Sequence, residues 1–311
     1  DVYCEKPLTL TVDEGKQIAK VVKETKRVVQ VGSWQRSDSR FRLAVELARS
    51  GRLGKIQKLS VALNLNKTGG PFPITEPPKS LNWDRWLGPA PLVPYIAERT
   101  HNTFRWWYEY AGGQVTDWGA HHIDIAQWIL GHENTSPVKI ETKGEFAAAS
   151  DRSFNVPKSY FLRYIYHDGT VIEVIEEGRA GIMIEGDRGR IFVNRGTVSG
   201  APIEQLAKTP FPREQFKLYA RDNLTRPERA GKLDAIINHM GNFYDCLQSR
   251  ELPISDIHTQ HRTATTCHLA NISLRLGRTL QWDPQAEKFV DDAEADSMLS
   301  RTPRKGYEFS A

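Results

Sequence analysis

Two glycines, a carboxylate and a pair of imidazoles fall close together in the run Gly112-Gly113-Gln114-Val115-Thr116-Asp117-Trp118-Gly119-Ala120-His121-His122. Paired glycines let a backbone approach a ligand closely. If a helix begins near Asp117, the i to i+4 spacing stacks its carboxylate beside the imidazole of His121. A carboxylate in that position fixes the tautomer of the ring and stabilises the imidazolium formed on proton abstraction, which makes an oriented general base. The same residues also admit a plain structural reading, in which Asp117 caps a helix and His121 is a hydrogen-bonded interior histidine. A metal hydrolase using Asp117, His121, His122 and His132 is disfavoured. The spacing lacks the i, i+4 histidine pair of the His-Glu-x-x-His type and offers no clear further ligand, so no metal is expected.

The elements that must carry these residues are partly marked. Thr11-Val12-Asp13-Glu14 is a capping box, and Ile18, Val21 and Val22 continue it as a helical apolar stripe. Val28 to Val31 reads as a buried strand. Ser37 to Ser50 reads as a second helix with Phe41, Ala44, Val45 and Ala48 on one face, ended by Gly51 and Gly54. With the short extended start that precedes Glu5, these look like the last strand-helix-strand piece of a doubly wound sheet, with an apolar edge that something must cover.

From Lys55 onward the period changes to that of a largely antiparallel sheet. Lys55 to Leu65 and Val138 to Phe146 alternate, and Tyr160 to Ile175 reads as a hairpin about Asp168-Gly169. A second hairpin is expected about Asp187-Arg188-Gly189, with Ile182 and Ile184 facing Ile191 and Val193. Thr68 to Thr103 is a long stretch rich in proline and aromatics, of the kind that often forms a functional lid. Leu233 to Leu247 and Thr263 to Leu276 read as helices able to cover one sheet face.

Taken together, Glu5-Lys6-Pro7 and the Gly-Gly-x-x-x-Asp-x-x-x-His segment resemble the Gfo/Idh/MocA family of nicotinamide-dependent oxidoreductases. Val31-Gly32-Ser33-Trp34-Gln35-Arg36, the run Trp83 to Pro91 and the Trp282-Asp283-Pro284 tail extend the resemblance, in family order, over nearly the whole chain. The resemblance implies an α+β chain. Residues 1–52 would be the C-terminal remnant of a doubly wound Rossmann domain, and residues 53–311 a substrate-binding and oligomerisation domain, a large, mostly antiparallel open sheet with helices on one face. It departs from the family in having no Gly-x-Gly anywhere and an aspartate at position 1. The expectation is therefore a C-terminal part of a longer protein, lacking on the order of 100 residues of the pyrophosphate-binding half.

What the resemblance implies for the site can be given residue by residue. His121 would take the proton of a substrate hydroxyl while the attached carbon gives hydride to the nicotinamide. Lys6 would hydrogen-bond that hydroxyl, and Asp117 would orient His121. Glu5, Lys6, Pro7 and Gln35 are expected at the cofactor, and Arg36, Arg105, Trp106 and His122 at the substrate. Surface lysine, turn and aromatic-core readings stand beside these for Lys6, for the Gln35-Arg36 pair and for Trp106 with Trp107. The expected reaction is oxidation, with NAD or NADP, of a secondary hydroxyl on a sugar, cyclitol or sugar-derived acid. A pH profile rising through the histidine range, about pH 6–7, would accompany it. A glycosidase that uses tightly held nicotinamide transiently is an alternative, as is a non-catalytic binding or assembly module.

Composition sets outer bounds. With 39% hydrophobic and 26% charged residues the chain can build a sizeable core. Its 42 basic and 38 acidic residues are interspersed, for a formal charge of +4, which argues against a nucleic-acid surface. Cys4, Cys246 and Cys267 are too few and scattered for a disulfide framework or a Cys-x-x-Cys site. No apolar run approaches the roughly 20 residues that span a bilayer. Compartment is left open, because an export signal could precede Asp1. An alternating sheet with one uncovered face calls for a homodimer or homotetramer.

Overall fold

A computed structural model describes residues 1–148, 150–211 and 231–308. The chain opens with strand β1 (Val2–Cys4), helix α1 (Val12–Thr25) and strand β2 (Val29–Val31). The capping box forms as the sequence requires. Thr11 accepts from the Glu14 backbone, and the Glu14 carboxylate accepts from the Thr11 backbone at 3.1 Å. Strands β1 and β2 pair in parallel, Val2 opposite Val29 and Cys4 opposite Val31. The free side of β2 is covered. Val31 donates its N–H to Ser255 O at 2.9 Å, and Val29 and Val31 pack against Ile257. Val2, on β1, is half exposed.

A short 3-10 turn, Trp34–Ser37, precedes helix α2 (Ser39–Arg49), whose N-cap is Asp38. The helix starts two residues later than the predicted Ser37. The difference arises because Asp38 accepts the Arg40 N–H at 2.9 Å and so starts the helix itself. Phe41, Ala44, Val45 and Ala48 do form its inner face, but they join the core of the large sheet.

That sheet has nine strands: β3 (Ile56–Ala62), β4 (Lys139–Glu145), β5 (Ser159–Ile165), β6 (Val171–Ile175), β7 (Gly181–Gly186), β8 (Gly189–Val193), β9 (Val198–Ser199), β10 (Leu280–Asp283) and β11 (Lys288–Phe289). Their spatial order is β11-β10-β4-β5-β6-β3-β7-β8-β9, and every neighbouring pair is antiparallel except β3 with β6. Both expected hairpins form, with Ile182 opposite Val193 and Ile184 opposite Ile191. At the first turn Gly169 takes a φ of 82°, a conformation that favours glycine.

Along β5 to β8 alternate residues are buried: Leu162, Tyr164, Ile172, Val174, Ile182, Ile184, Ile191 and Val193. They pack beneath α2, α5 (Gly119–Leu130) and α8 (Ile257–Leu276) in one continuous core. The opposite face is uncovered by helices among the described residues. It presents Phe161, Ile165, Val171, Ile175, Met183 and Phe192, all only partly buried. Of the segment 68–103, the regular parts are Trp83–Leu87 (α3), a 3-10 turn at Ala97–Arg99 and the start of a 3-10 helix at His101–Trp106. Trp83 and Trp86 stack there with centroids 5.0 Å apart.

Candidate active site

The site forms where three distant segments converge. β1 runs out into Glu5-Lys6-Pro7, and β2 ends at Gly32, whose N–H is donated to Cys4 O at 2.7 Å. A Cβ on Gly32 would lie 3.3 Å from Glu5 Cα and 2.6 Å from its carboxylate, so glycine lets these two strand ends cross closely without displacing the Glu5 side chain. The third segment is α4 (Gly113–Asp117), which leads through Trp118 into α5.

The glycine pair has a purpose different from the one its sequence implies. Added Cβ atoms would lie 2.2 Å from Asn271 Nδ2 at Gly112 and 2.6 Å from Asn66 Oδ1 at Gly113. Asn271 donates to Gly112 O at 3.0 Å, and Asn66 accepts the Gln114 N–H at 2.7 Å. The glycines thus admit two asparagine side chains, which pin the start of α4.

Asp117 closes α4, so the expected helix beginning near Asp117 is corrected: it starts at Gly113. Its carboxylate does not hydrogen-bond His121, and it caps no helix N–H. Lys6 Nζ reaches it at 2.5 Å and also donates to Asp117 O at 3.0 Å, while Arg105 Nε donates to the other carboxylate oxygen at 2.8 Å. Two cations outcompete the neutral ring for the carboxylate, because charge-assisted bonds are roughly twice as strong as neutral ones. Lys6, Asp117 and Arg105 are therefore brought together, each side chain partly exposed.

His121 lies on the first turn of α5, with Trp34 and Trp118 at centroid distances of 6.2 and 6.5 Å. Its Nδ1 is buried without a partner, and Nε2 makes no hydrogen bond among the described residues. Burial pushes its imidazole well below the usual histidine range, and the charges of Lys6, Arg195 and His122 push the same way. His121 is neutral at neutral pH.

Several expected site residues are instead interior. Arg36 is buried and spent on structure. It forms a bidentate pair with Asp124 at 2.8 and 2.6 Å, and its remaining nitrogen donates to Ile254 O and Thr259 Oγ1. The Asp124 carboxylate also accepts from Gln260 and Thr263, both at 2.9 Å, and so ties α5 to α8. Gln35, 1% exposed, acts as a bracket between Arg195 Nε, at 2.8 Å, and His122 Nδ1, at 3.2 Å. His122 is 1% exposed between Phe41 and Trp118, and burial pushes its pKa down to about 3. Trp106 belongs to a small core with Ile96, Trp107, Phe154 and Val156 and forms no wall of the site. His132 stacks on Tyr166 at 4.4 Å.

One residue the sequence did not mark stands in the site. Arg195, in the turn between β8 and β9, lies between Trp34 and Trp118, its guanidinium carbon 4.5 and 4.3 Å from their ring centres.

Residues 67–228 and 217–309 match the model described as the oxidoreductase family, C-terminal alpha/beta domain. The match takes in well over half of the chain, which belongs to the Gfo/Idh/MocA oxidoreductase family. Among curated relatives it is 29% identical over 135 residues to scyllo-inositol 2-dehydrogenase (NAD(+)) of Bacillus subtilis, covering 43% of this chain and 30% of that protein. It is 27% identical over 135 residues to inositol 2-dehydrogenase of Rhizobium meliloti, covering 43% and 31%. The matched stretch spans about a third of each relative's length. An oxidoreductase from Agrobacterium radiobacter, solved in complex with NAD+, L-tartaric acid and magnesium, shares the fold. Its TM-score is 0.54 at 14% identity, with 90% of this chain and 72% of that one covered.

Proposed function

We propose that this protein is an NAD- or NADP-dependent dehydrogenase acting on a secondary hydroxyl of a sugar, cyclitol or sugar-derived substrate. The observation that carries the reading is the convergence of Lys6 with Asp117 beside a neutral, unpaired His121, across 111 residues of chain. Oxidising an alcohol requires a base for the hydroxyl proton and positive charge for the developing alkoxide, and those are the two groups brought together. The inositol dehydrogenase relatives favour a cyclitol or sugar among hydroxyl substrates.

The residues fit the reacting end of a nicotinamide dinucleotide. Glu5, Lys6 and Pro7 lie at the carboxyl end of a parallel strand pair, where ligands bind in open parallel sheets. When bound, the nicotinamide supplies the hydride acceptor. His121 takes the hydroxyl proton on Nε2, the nitrogen left open. Lys6 donates to the same oxygen and stabilises its negative charge. Asp117 holds Lys6 in place, and Arg105 holds Asp117; both act as positioning residues. We further read β1, α1 and β2 as the last part of a Rossmann domain within residues 1–52, with residues 53–311 as the substrate and assembly domain. The protein would assemble as a homodimer or homotetramer through the uncovered sheet face.

The test is steady-state kinetics of the full-length gene product on a polyol and sugar panel, read by absorbance of reduced nicotinamide. His121→Ala should lower turnover about 10²–10⁴-fold with cofactor affinity retained, and Lys6→Ala should lower it as well. The acid limb of the native profile should lie below the about pH 6–7 first expected, because burial holds His121 neutral further into acid. Near-native turnover in His121→Ala would end this assignment.

A further inference from the structure

We propose that Arg195 is a specificity residue that selects a substrate carrying a carboxylate, a sugar acid rather than a neutral sugar or cyclitol. This rests on the dehydrogenase reading of Lys6 and His121 and narrows its substrate class.

The argument begins with charge. The charges of Lys6 and Arg195 bear on His121, and the Asp117 carboxylate is already shared by Lys6 and Arg105. Asp38 is in electrostatic range of Arg195, but its carboxylate is committed to Arg40 at 2.9 and 2.5 Å. Lys232 adds a further cation over the outer side of Trp34, at 6.0 Å. Even with the Glu5 carboxylate at the end of β1 counted beside Asp117, these cations outnumber the carboxylates and leave the cleft positive. An oxidised nicotinamide ring, itself cationic, would add to that excess. Partly buried positive charge of this kind is costly unless an anion completes it.

Arg195 is also built for recognition. The rings of Trp34 and Trp118 hold its guanidinium plane from two sides, and Gln35 Oε1 takes its Nε–H, so the side chain is fixed before any ligand arrives. Its two terminal nitrogens have no hydrogen-bond or ion-pair partner among the described residues. A guanidinium with both terminal groups free presents the planar fork that matches a carboxylate. The Gln35 bracket continues to His122 and to His121 O, which sets the distance between the acid-binding group and the base.

The experiment is ligand binding to the full-length protein, read by quenching of Trp34 and Trp118 fluorescence, with glucuronate, galacturonate and gluconate compared against glucose and galactose. Native protein should bind at least one acid about tenfold or more tighter than its neutral counterpart. Arg195→Gln should cut that ratio by about 10–100-fold, the worth of a charge-assisted bond, and Arg195→Lys should recover part of it. Equal binding of acids and neutral sugars by native protein would overturn the inference, as would an acid preference that survives in Arg195→Gln. Loss of NAD affinity in Arg195→Gln with the ratio unchanged would assign the residue to the cofactor and overturn it equally. Because binding is read without turnover, failure to reduce nicotinamide on any substrate would count against the dehydrogenase reading and leave the acid preference standing.

Discussion

Acidification should unfold this protein through histidines that the fold keeps neutral. His122, His239 and His268 are 1%, 0% and 8% exposed, and burial pushes their pKa values down to about 3, about 4 and about 4. Burial outweighs the hydrogen bonds at two of them, since the Val31 and Thr9 carbonyls favour a charged ring at His239 and His268, and only His122 has a partner that requires the neutral form. His239 meets Val31 O at 2.9 Å and Ser37 Oγ at 2.8 Å, and His122 Nδ1 faces the amide nitrogen of Gln35. In the unfolded chain each ring regains a pKa of about 6.5, so below that pH the unfolded state binds more protons. A depressed folded pKa leaves stability intact above about pH 6.5 and removes it progressively as pH falls toward about 4. Between about pH 7 and 5 each ring costs about 2 kcal/mol, and the three together on the order of 5 kcal/mol, comparable to the whole stability of many domains. Urea denaturation followed by tryptophan fluorescence at several pH values measures it. His268→Gln, which retains a donor for Thr9 O, should flatten the pH dependence by about a third of that sum. A stability that stays level between about pH 7 and 5 would refute the linkage.

Two further outcomes separate architecture from chemistry. Arg36→Met strands the Asp124 carboxylate in the interior and should destabilise by about 3–5 kcal/mol, with Asp124→Leu in the same chain recovering much of it. Were Arg36 a substrate group instead, chemical denaturation would be unmoved and KM would rise. On the outer sheet face, Met183 and Phe192 are cross-strand neighbours, so Phe192→Glu should place an unpaired charge in an oligomer interface and yield monomers by sedimentation velocity. Native protein that sediments as a monomer at high micromolar concentration would remove that interface.

Local signals in the sequence located most elements, because a capping box, a period of two or an Asp-Gly turn involves neighbours within a few residues. The helix over Val12–Thr25 and the register of Ile182 against Val193 were legible on that basis. Side-chain destinations were legible only where no distant partner competed. The spacing of Asp117 and His121 promises a pair only along an unbroken helix from Asp117, and Lys6 arrives from 111 residues away to claim the carboxylate. Gln35 and Arg36 do lie just beyond the carboxyl end of β2, where the buried strand predicted at Val28 to Val31 puts them. Arg36 nevertheless turns to Asp124, 88 residues on, since a buried guanidinium is tolerable only beside a carboxylate.

Arg195 carries this logic furthest. Within Asn194-Arg195-Gly196-Thr197 it reads as an ordinary turn cation, with Asn194 Oδ1 accepting from Gly196 and Thr197 as a turn residue should. Its meaning comes from Trp34, Gln35 and Trp118, which lie far away in sequence and hold it within electrostatic range of His121. Backbone periodicity builds the sheet edge from which that turn projects, whereas the charge balance of the cleft depends on which distant side chains meet there. The proposed reacting pair of Lys6 and His121 would thus stay fixed while substitutions in one short turn alter which substrates reach it.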